Sequence, residues 1–225
     1  MRAFTDFWVK IRDLDQASDI LKKLRELGFS NAVIEAGEGV LERFDELRRI
    51  GEEQGVKVYR KLVLKPDGRK SLLRSLRSNR GRFEIITILC ENLETALVAA
   101  RDSRVDSLII PPRPRFRFDK GVAALLKNSV ELPFKQYLED KRGFLETAMR
   151  VVEILGKKTS IIVSSAADDI LDLRDPRELA SMLQVLGFSQ EQALDSVSKN
   201  PMKIIERNLL KLSKNYVARG VIKLD

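Results

Sequence analysis

Short apolar runs and segments of helical periodicity alternate about seven times along this chain, with brief connections and no linker between them. Strand-like runs fall at 3–9, 31–35, 56–64, 84–90, 107–110, 130–138 and 159–163. The segments between them carry apolar residues at three- and four-residue spacing. Ala17, Ile20, Leu21, Leu24 and Leu27 form one such face, with Asp13 as the expected cap and Gly28 as the expected stop. Leu41, Phe44 and Leu47 form another, and Phe144, Leu145, Ala148, Val151, Val152 and Leu155 a third. Strand–helix alternation with short connections packs as parallel units whose helices cover the sheet. The count and a length of 225 residues favour a (β/α) barrel over an open doubly wound sheet. No eighth strand is evident after residue 164. The expected fold is therefore a single α/β domain over 1–225, a distorted or incomplete (β/α)8 TIM-like barrel.

Two features narrow the chemistry. Histidine is absent, which removes the commonest general base and the commonest metal ligand. Glycine-rich phosphate loops and the G-x-S-x-G elbow are also missing, so Ser164 and Ser165, at the end of a strand, read as loop hydrogen-bonding residues. Asp168, Asp169 and Asp172 could hold Mg²⁺ as hard oxygen ligands, but acids ahead of a helix are equally its ordinary N-terminal residues. One cysteine, Cys90, cannot form an internal disulfide and reads as a buried thiol. With no signal-like leader and no apolar run of spanning length, a cytoplasmic protein free of membrane is expected.

The charge is local. The chain carries a formal +8, yet residues 57–82 hold ten basic side chains against Asp67 alone, a segment charge of +9 that leaves the rest near −1. A helix after the turn Pro66-Asp67-Gly68 would bury Leu72, Leu73 and Leu76 and turn Lys70, Arg74 and Arg77 outward. A second cluster lies in Pro111-Pro112-Arg113-Pro114-Arg115-Phe116-Arg117-Phe118, ahead of a helix starting near Asp119. There the arginines suit phosphate, while the two phenylalanines read as core. In a parallel barrel the loops after strands share the C-terminal face. Lys65, Arg69, Lys70, Arg74, Arg77, Arg113, Arg115, Arg117, Lys120 and Arg174 are the expected nucleic-acid-binding residues.

The stretch 157–208 is the most legible of all. Asp175 with Pro176 and Glu178, and Ser189 with Gln192, have the spacing of capped helix starts, and Asn200-Pro201 reads as a third. The run also carries a resemblance: the strand ending Ser164-Ser165-Ala166, Leu173-Arg174 before Pro176, Leu186-Gly187-Phe188-Ser189 with Ala193, and Val197-Ser198 with Asn200. Together with Phe4-Thr5-Asp6 near the start, these resemble the ribonuclease P protein component 3 family.

The resemblance implies a barrel related to the polymerase-and-histidinol-phosphatase phosphoesterases. Those enzymes need a histidine-rich metal cluster, and this chain has Asp6-Phe7-Trp8 where a histidine pair would stand. It further implies a subunit that binds the ribonuclease P RNA together with protein component 2 and other subunits, supporting removal of the 5′ leader from precursor tRNA. In that role the chain has no catalytic residues and binds no cofactor directly, and Mg²⁺ is expected on the RNA. By this motif Arg174 is the carried-over binding residue. The rival expectation is a stand-alone metal-dependent nuclease or phosphoesterase using Asp6, Asp168 and Asp169.

Overall fold

Seven parallel strands stand side by side in sequence order, each followed by helix, in a computed structural model that describes residues 2–156, 159–213, 216–218 and 221–222. The strands are β1 (Phe4–Ile11), β2 (Phe29–Ala36), β3 (Lys57–Leu64), β4 (Ile85–Leu89), β5 (Ser107–Ile109), β6 (Ser129–Pro133) and β7 (Ile161–Ser164). The helices between them are α1 (Ala17–Glu26), α2 (Glu38–Glu42), α3 (Phe44–Glu53), α4 (Arg69–Asn79), α5 (Leu93–Arg101), α6 (Lys120–Leu125), α7 (Phe134–Glu139) and α8 (Lys141–Leu155). A 3₁₀ turn, Ile170–Asp172, leads to α9 (Pro176–Val185), α10 (Gln190–Asp195) and α11 (Lys199–Leu212). A short antiparallel hairpin, β8 (Tyr216–Ala218) with β9 (Val221–Ile222), follows. The larger apolar core lies between strands and helices, built from residues such as Leu21, Leu47, Leu72, Ile88, Leu108 and Val163.

The barrel is incomplete, and its closure explains the most legible stretch of sequence. At the C-terminal end of the seam, β1 and β7 meet through a parallel bridge between Val9 and Ala167, with Lys10 N donating to Ala167 O at 2.8 Å. At the other end no eighth strand stands between them among the described residues. Residues 196–197 fill the gap instead: Thr5 N donates to Val197 O at 2.9 Å and Val163 N to Ser196 O at 3.3 Å. Asn200 Nδ2 donates to Ile161 O at 2.9 Å. Helix α11 then plugs the bottom, setting Ile204 and Ile205 among Phe7, Val33, Tyr59, Ile85 and Ile162. Burying each isoleucine contributes roughly 1.5–3 kcal/mol.

Local expectations are met at Asp175 and Ser189, each of which forms a reciprocal capping box with Glu178 and Gln192 respectively. Asp119 caps α6 through the N–H groups of Gly121 and Val122, and Gly28 ends the first helical segment with φ +98°. Four readings change. Asp13 does not cap α1; its Oδ1 accepts from Asp15 N, folding a turn ahead of a helix that starts later. The helical segment around Leu41–Leu47 divides at Arg43, whose φ of −106° and ψ of 29° are not helical. The strand expected over 130–138 stops at Pro133, and Phe134 begins α7. Asn200 lies inside α11 rather than capping it, since Ser198 precedes the first turn. Lys157 and Lys158, which open the 157–208 stretch, lie outside the described residues.

Candidate nucleic-acid interface

Alternation along each strand sends every second side chain into the barrel. In β3 the inward set is Tyr59, Lys61 and Val63, so the charged residue takes the buried position and Val58 and Leu62 pack under the helices. Lys61 is 1% exposed. Its Nζ lies 2.7 and 2.8 Å from the two Glu131 oxygens and 2.8 Å from Phe7 O, with the Phe7 and Trp8 rings beside it. Ser164 Oγ, Ser107 Oγ and Thr87 Oγ1 donate to the same carboxylate at 2.8, 2.9 and 3.2 Å. Burial pulls the Lys61 ammonium below its ordinary pKa, opposed by the Glu131 charge and hydrogen bond.

Above this layer, Trp8 occupies the C-terminal mouth, where barrel enzymes place their reacting groups. It is 8% exposed, packs with Val63, Leu89, Ile109 and Ala166, and donates from Nε1 to Glu35 Oε2 at 2.8 Å. Asp6 is sealed in the seam. Its Oδ1 accepts from Trp8 N at 3.2 Å and Ser165 N at 3.0 Å, while Oδ2 has no partner. Burial raises its carboxyl to a pKa of about 6 against those hydrogen bonds. Ser165 Oγ donates to Trp8 O and accepts from Ala167 N, which is the loop role expected of it. Cys90 is a buried core thiol, its pKa pushed up by burial.

The acids after β7 are engaged by lysines. Lys10 and Lys135 both bind Asp168, and Lys135 also reaches Asp172 at 2.9 Å. Burial works against both charges, but the lysine contacts outweigh it and hold both carboxyls below their ordinary range. Asp169 caps the 3₁₀ turn through Leu171 N. Among the described residues, no three His, Cys, Asp or Glu side chains stand together as metal ligands. The carboxylates of the nuclease reading are thus one sealed in the seam, one salt-bridged and one capping.

The basic residues divide into two surfaces. On α4, Leu72 and Leu76 are fully buried, and the side chains of Arg69, Lys70, Arg74 and Arg77 are exposed with no acidic partner among the described residues. Lys65 pairs with Glu91 at 2.8 Å, and Glu94 accepts from Arg69 N at 3.3 Å. The arginine loop turns the other way, onto α8. Arg113 takes a φ of 50°, donates from its N–H to Thr147 Oγ1 and pairs with Asp140 at 3.0 Å. Phe118 is buried and Phe116 packs against the core, as expected. Arg115 is exposed, and Arg117 and Lys120 border an open cleft of about 820 Å³ between α6 and α8. Arg150 lines the same cleft from α8, a residue the sequence reading did not single out. Its only signal there was a basic position on the outer face of an amphipathic helix.

Arg174 is half-buried. Its guanidinium stacks over Phe134 at 5.5 Å and donates to the Leu171 and Leu173 carbonyls at 2.8 and 2.7 Å. Not all of the +9 segment reaches solvent. Arg60 is bonded to Glu84 and Arg80 to Asp106, both at the N-terminal end of the strands, and Lys61 is interior.

Comparison with known proteins adds four findings. The sequence profile described as RNase P subunit p30 matches residues 3–213. Ribonuclease P protein component 3 of Methanothermobacter thermautotrophicus is 24% identical over 219 residues, covering 90% of this chain and 89% of that protein. The protein of the same name from Methanosarcina acetivorans is 30% identical over 88 residues, 39% of this chain and 34% of the other. Among solved structures, a chain of a cryo-EM structure of archaeal ribonuclease P with mature tRNA superposes with a TM-score of 0.82 at 23% identity, covering 96% of each chain. That likeness shows the barrel fold.

Proposed function

This chain belongs to the RNase P subunit p30 family, and on that premise we propose that, as a protein subunit of ribonuclease P acting in tRNA processing, it binds the enzyme's RNA and supports removal of the 5′ leader from precursor tRNA. The observation that carries the RNA contact is the outward face of α4. The side chains of Arg69, Lys70, Arg74 and Arg77 stand exposed there without an acidic partner among the described residues, on a chain whose formal charge is +8. Arg115, Arg117 and Lys120 extend the contact from the second surface, and Lys65 and Arg113 reach RNA by exchanging Glu91 and Asp140 for phosphate. Arg174 contributes through the edge of its guanidinium left free by the two carbonyls.

In this reading the RNA carries the reaction and its Mg²⁺, and the protein binds no cofactor. The filled barrel mouth and the lysine-bound acids support that assignment. Protein component 2 and further subunits complete the particle. No helix among the described residues is long and apolar enough to cross a membrane, and the proposed setting is the cytoplasm.

The test is RNA affinity against salt. Neutralising phosphates releases counterions, so each lost contact makes the fall of log K with log salt shallower by roughly one unit. Alanine at Lys70, Arg74 and Arg77 is expected to make that fall shallower by up to roughly three units. Unchanged affinity and slope would remove the α4 surface from the proposal.

A further inference from the structure

The two basic surfaces are not parts of one face. Strand order and helix contacts place α5 between α4 and α6, and α6 against α8. In a ring of about eight β/α units each step turns the outward direction by roughly 45°. The outer face of α4 and the cleft between α6 and α8 therefore point roughly a right angle or more apart. Packed helices lie about 10 Å from one another, so the surfaces are also separated by roughly 20 Å or more.

The ground between them at the C-terminal end holds two acids, one of them paired with Lys65. Glu91 takes the Lys65 ammonium, and Glu94 sits against Gly68 and Arg69 at the start of α5. A phosphate backbone running straight along α4 would leave the protein before the cleft, and one bending across would meet the Glu94 carboxylate and the Lys65–Glu91 pair.

Each surface presents three basic side chains of its own. On α4, Lys70, Arg74 and Arg77 follow one another at four- and three-residue spacing over about 10 Å of helix, enough to meet successive phosphates of one strand. In the cleft, Arg117, Lys120 and Arg150 converge from a loop and two helices. Of the three acids lining it, Asp119 is occupied as the α6 cap and Glu146 by Arg142, which leaves Glu153 facing the three cations. We propose that this protein is bivalent for RNA: the α4 surface and the α6–α8 cleft hold two separate segments of RNA backbone and fix their relative orientation. The inference rests on the RNA-binding reading above and adds the division into two sites. A chain that binds two segments raises the effective concentration of each for the other and so supports RNA architecture without a catalytic group.

Tethered hydroxyl-radical cleavage tests it, because the single native thiol, Cys90, is buried and leaves engineered cysteines to be labelled alone. Fe-EDTA is attached to Ser78→Cys on α4 or to Met149→Cys in the cleft, both exposed positions, in the full chain assembled with the ribonuclease P RNA. Two non-contiguous sets of cut nucleotides are expected. Charge reversal at Lys70, Arg74 and Arg77 should erase only the first set, and reversal at Arg117, Lys120 and Arg150 only the second. Each reversal should weaken binding by roughly tenfold or more at moderate salt. The same nucleotides cut from both positions, cuts from one position only, or loss of both sets in one reversal would each overturn bivalence while leaving RNA binding in place. Absence of RNA binding by the unsubstituted protein would defeat the underlying reading as well.

Discussion

At the scale of residues, the barrel interior is where the sequence was least readable. Lys57-Val58-Tyr59-Arg60-Lys61-Leu62 shows alternation, and alternation with charge ordinarily means a solvent face. Here the charged parity points inward, because Glu131, three strands away, supplies a counter-ion that no local pattern announces. Removing one partner strands a buried charge. Lys61→Met is expected to cost about 3–5 kcal/mol in denaturant unfolding, and Lys61→Met with Glu131→Leu should recover most of it. A single substitution as mild as the double one would contradict the pairing. Asp6 gives a second handle. Its folded pKa of about 6 lies above the ordinary 3.8, so the native state holds this proton more tightly than the unfolded chain. Its contribution to stability is therefore full below pH 4 and is lost as pH rises towards 6 and beyond, up to about 3 kcal/mol. Asp6→Asn retains the Oδ1 acceptor, so its stability relative to the unsubstituted protein should climb between pH 4 and 6 and then level. A flat difference would show that burial does not shift this group. Asp168 and Asp172, held below their ordinary range, work in the opposite sense and lose their contribution as pH falls through the acid range.

At the scale of elements, caps were legible where side chain and backbone agree over three residues. Asp175 with Glu178 and Ser189 with Gln192 are local motifs, and the structure forms both. Asp13 and Asn200 were misread because one polar residue before an apolar run has other uses. Asp13 folds its own turn, and Asn200 is taken by the Ile161 carbonyl across the barrel seam. Substitution should separate the two kinds. Asp175→Ala is expected to lower stability by about 1 kcal/mol, whereas Asp13→Ala should change it by only a few tenths. Urea midpoints of the two variants measure the contrast, and equal losses would contradict the capping assignment. The end of β6 was hidden for a similar reason. Residues 130–138 are apolar enough to continue a strand, but Pro133 lacks the N–H for another ladder bond, and its φ of −75° suits the start of α7.

At the scale of the whole molecule, the alternation of strands and helices was enough to read the barrel and its missing eighth strand, because both follow from counting periodic segments. What fills the gap was not readable: the Ser196 and Val197 carbonyls replace a strand with two backbone hydrogen bonds, and backbone acceptors leave no mark in a side-chain pattern. The basic surfaces were visible as composition and spacing, and Lys70, Arg74 and Arg77 lie outward as their helical period requires. Their grouping was not visible. The arginine loop was expected to join the α4 residues on one face, yet the structure lays it against α8, through Arg113 to Asp140 and Thr147. The central claim remains that this barrel serves ribonuclease P as a protein that supports an RNA-borne reaction. Its most direct test is precursor tRNA cleavage by ribonuclease P reconstituted from RNA and the other protein subunits, with and without this chain. Cleavage at limiting Mg²⁺ should fall sharply on omission and return with the unsubstituted chain or with Asp168→Asn, but not with the combined reversals at α4 and the cleft. Full cleavage in its absence, or restoration that depends on the Asp168 carboxylate, would contradict the account.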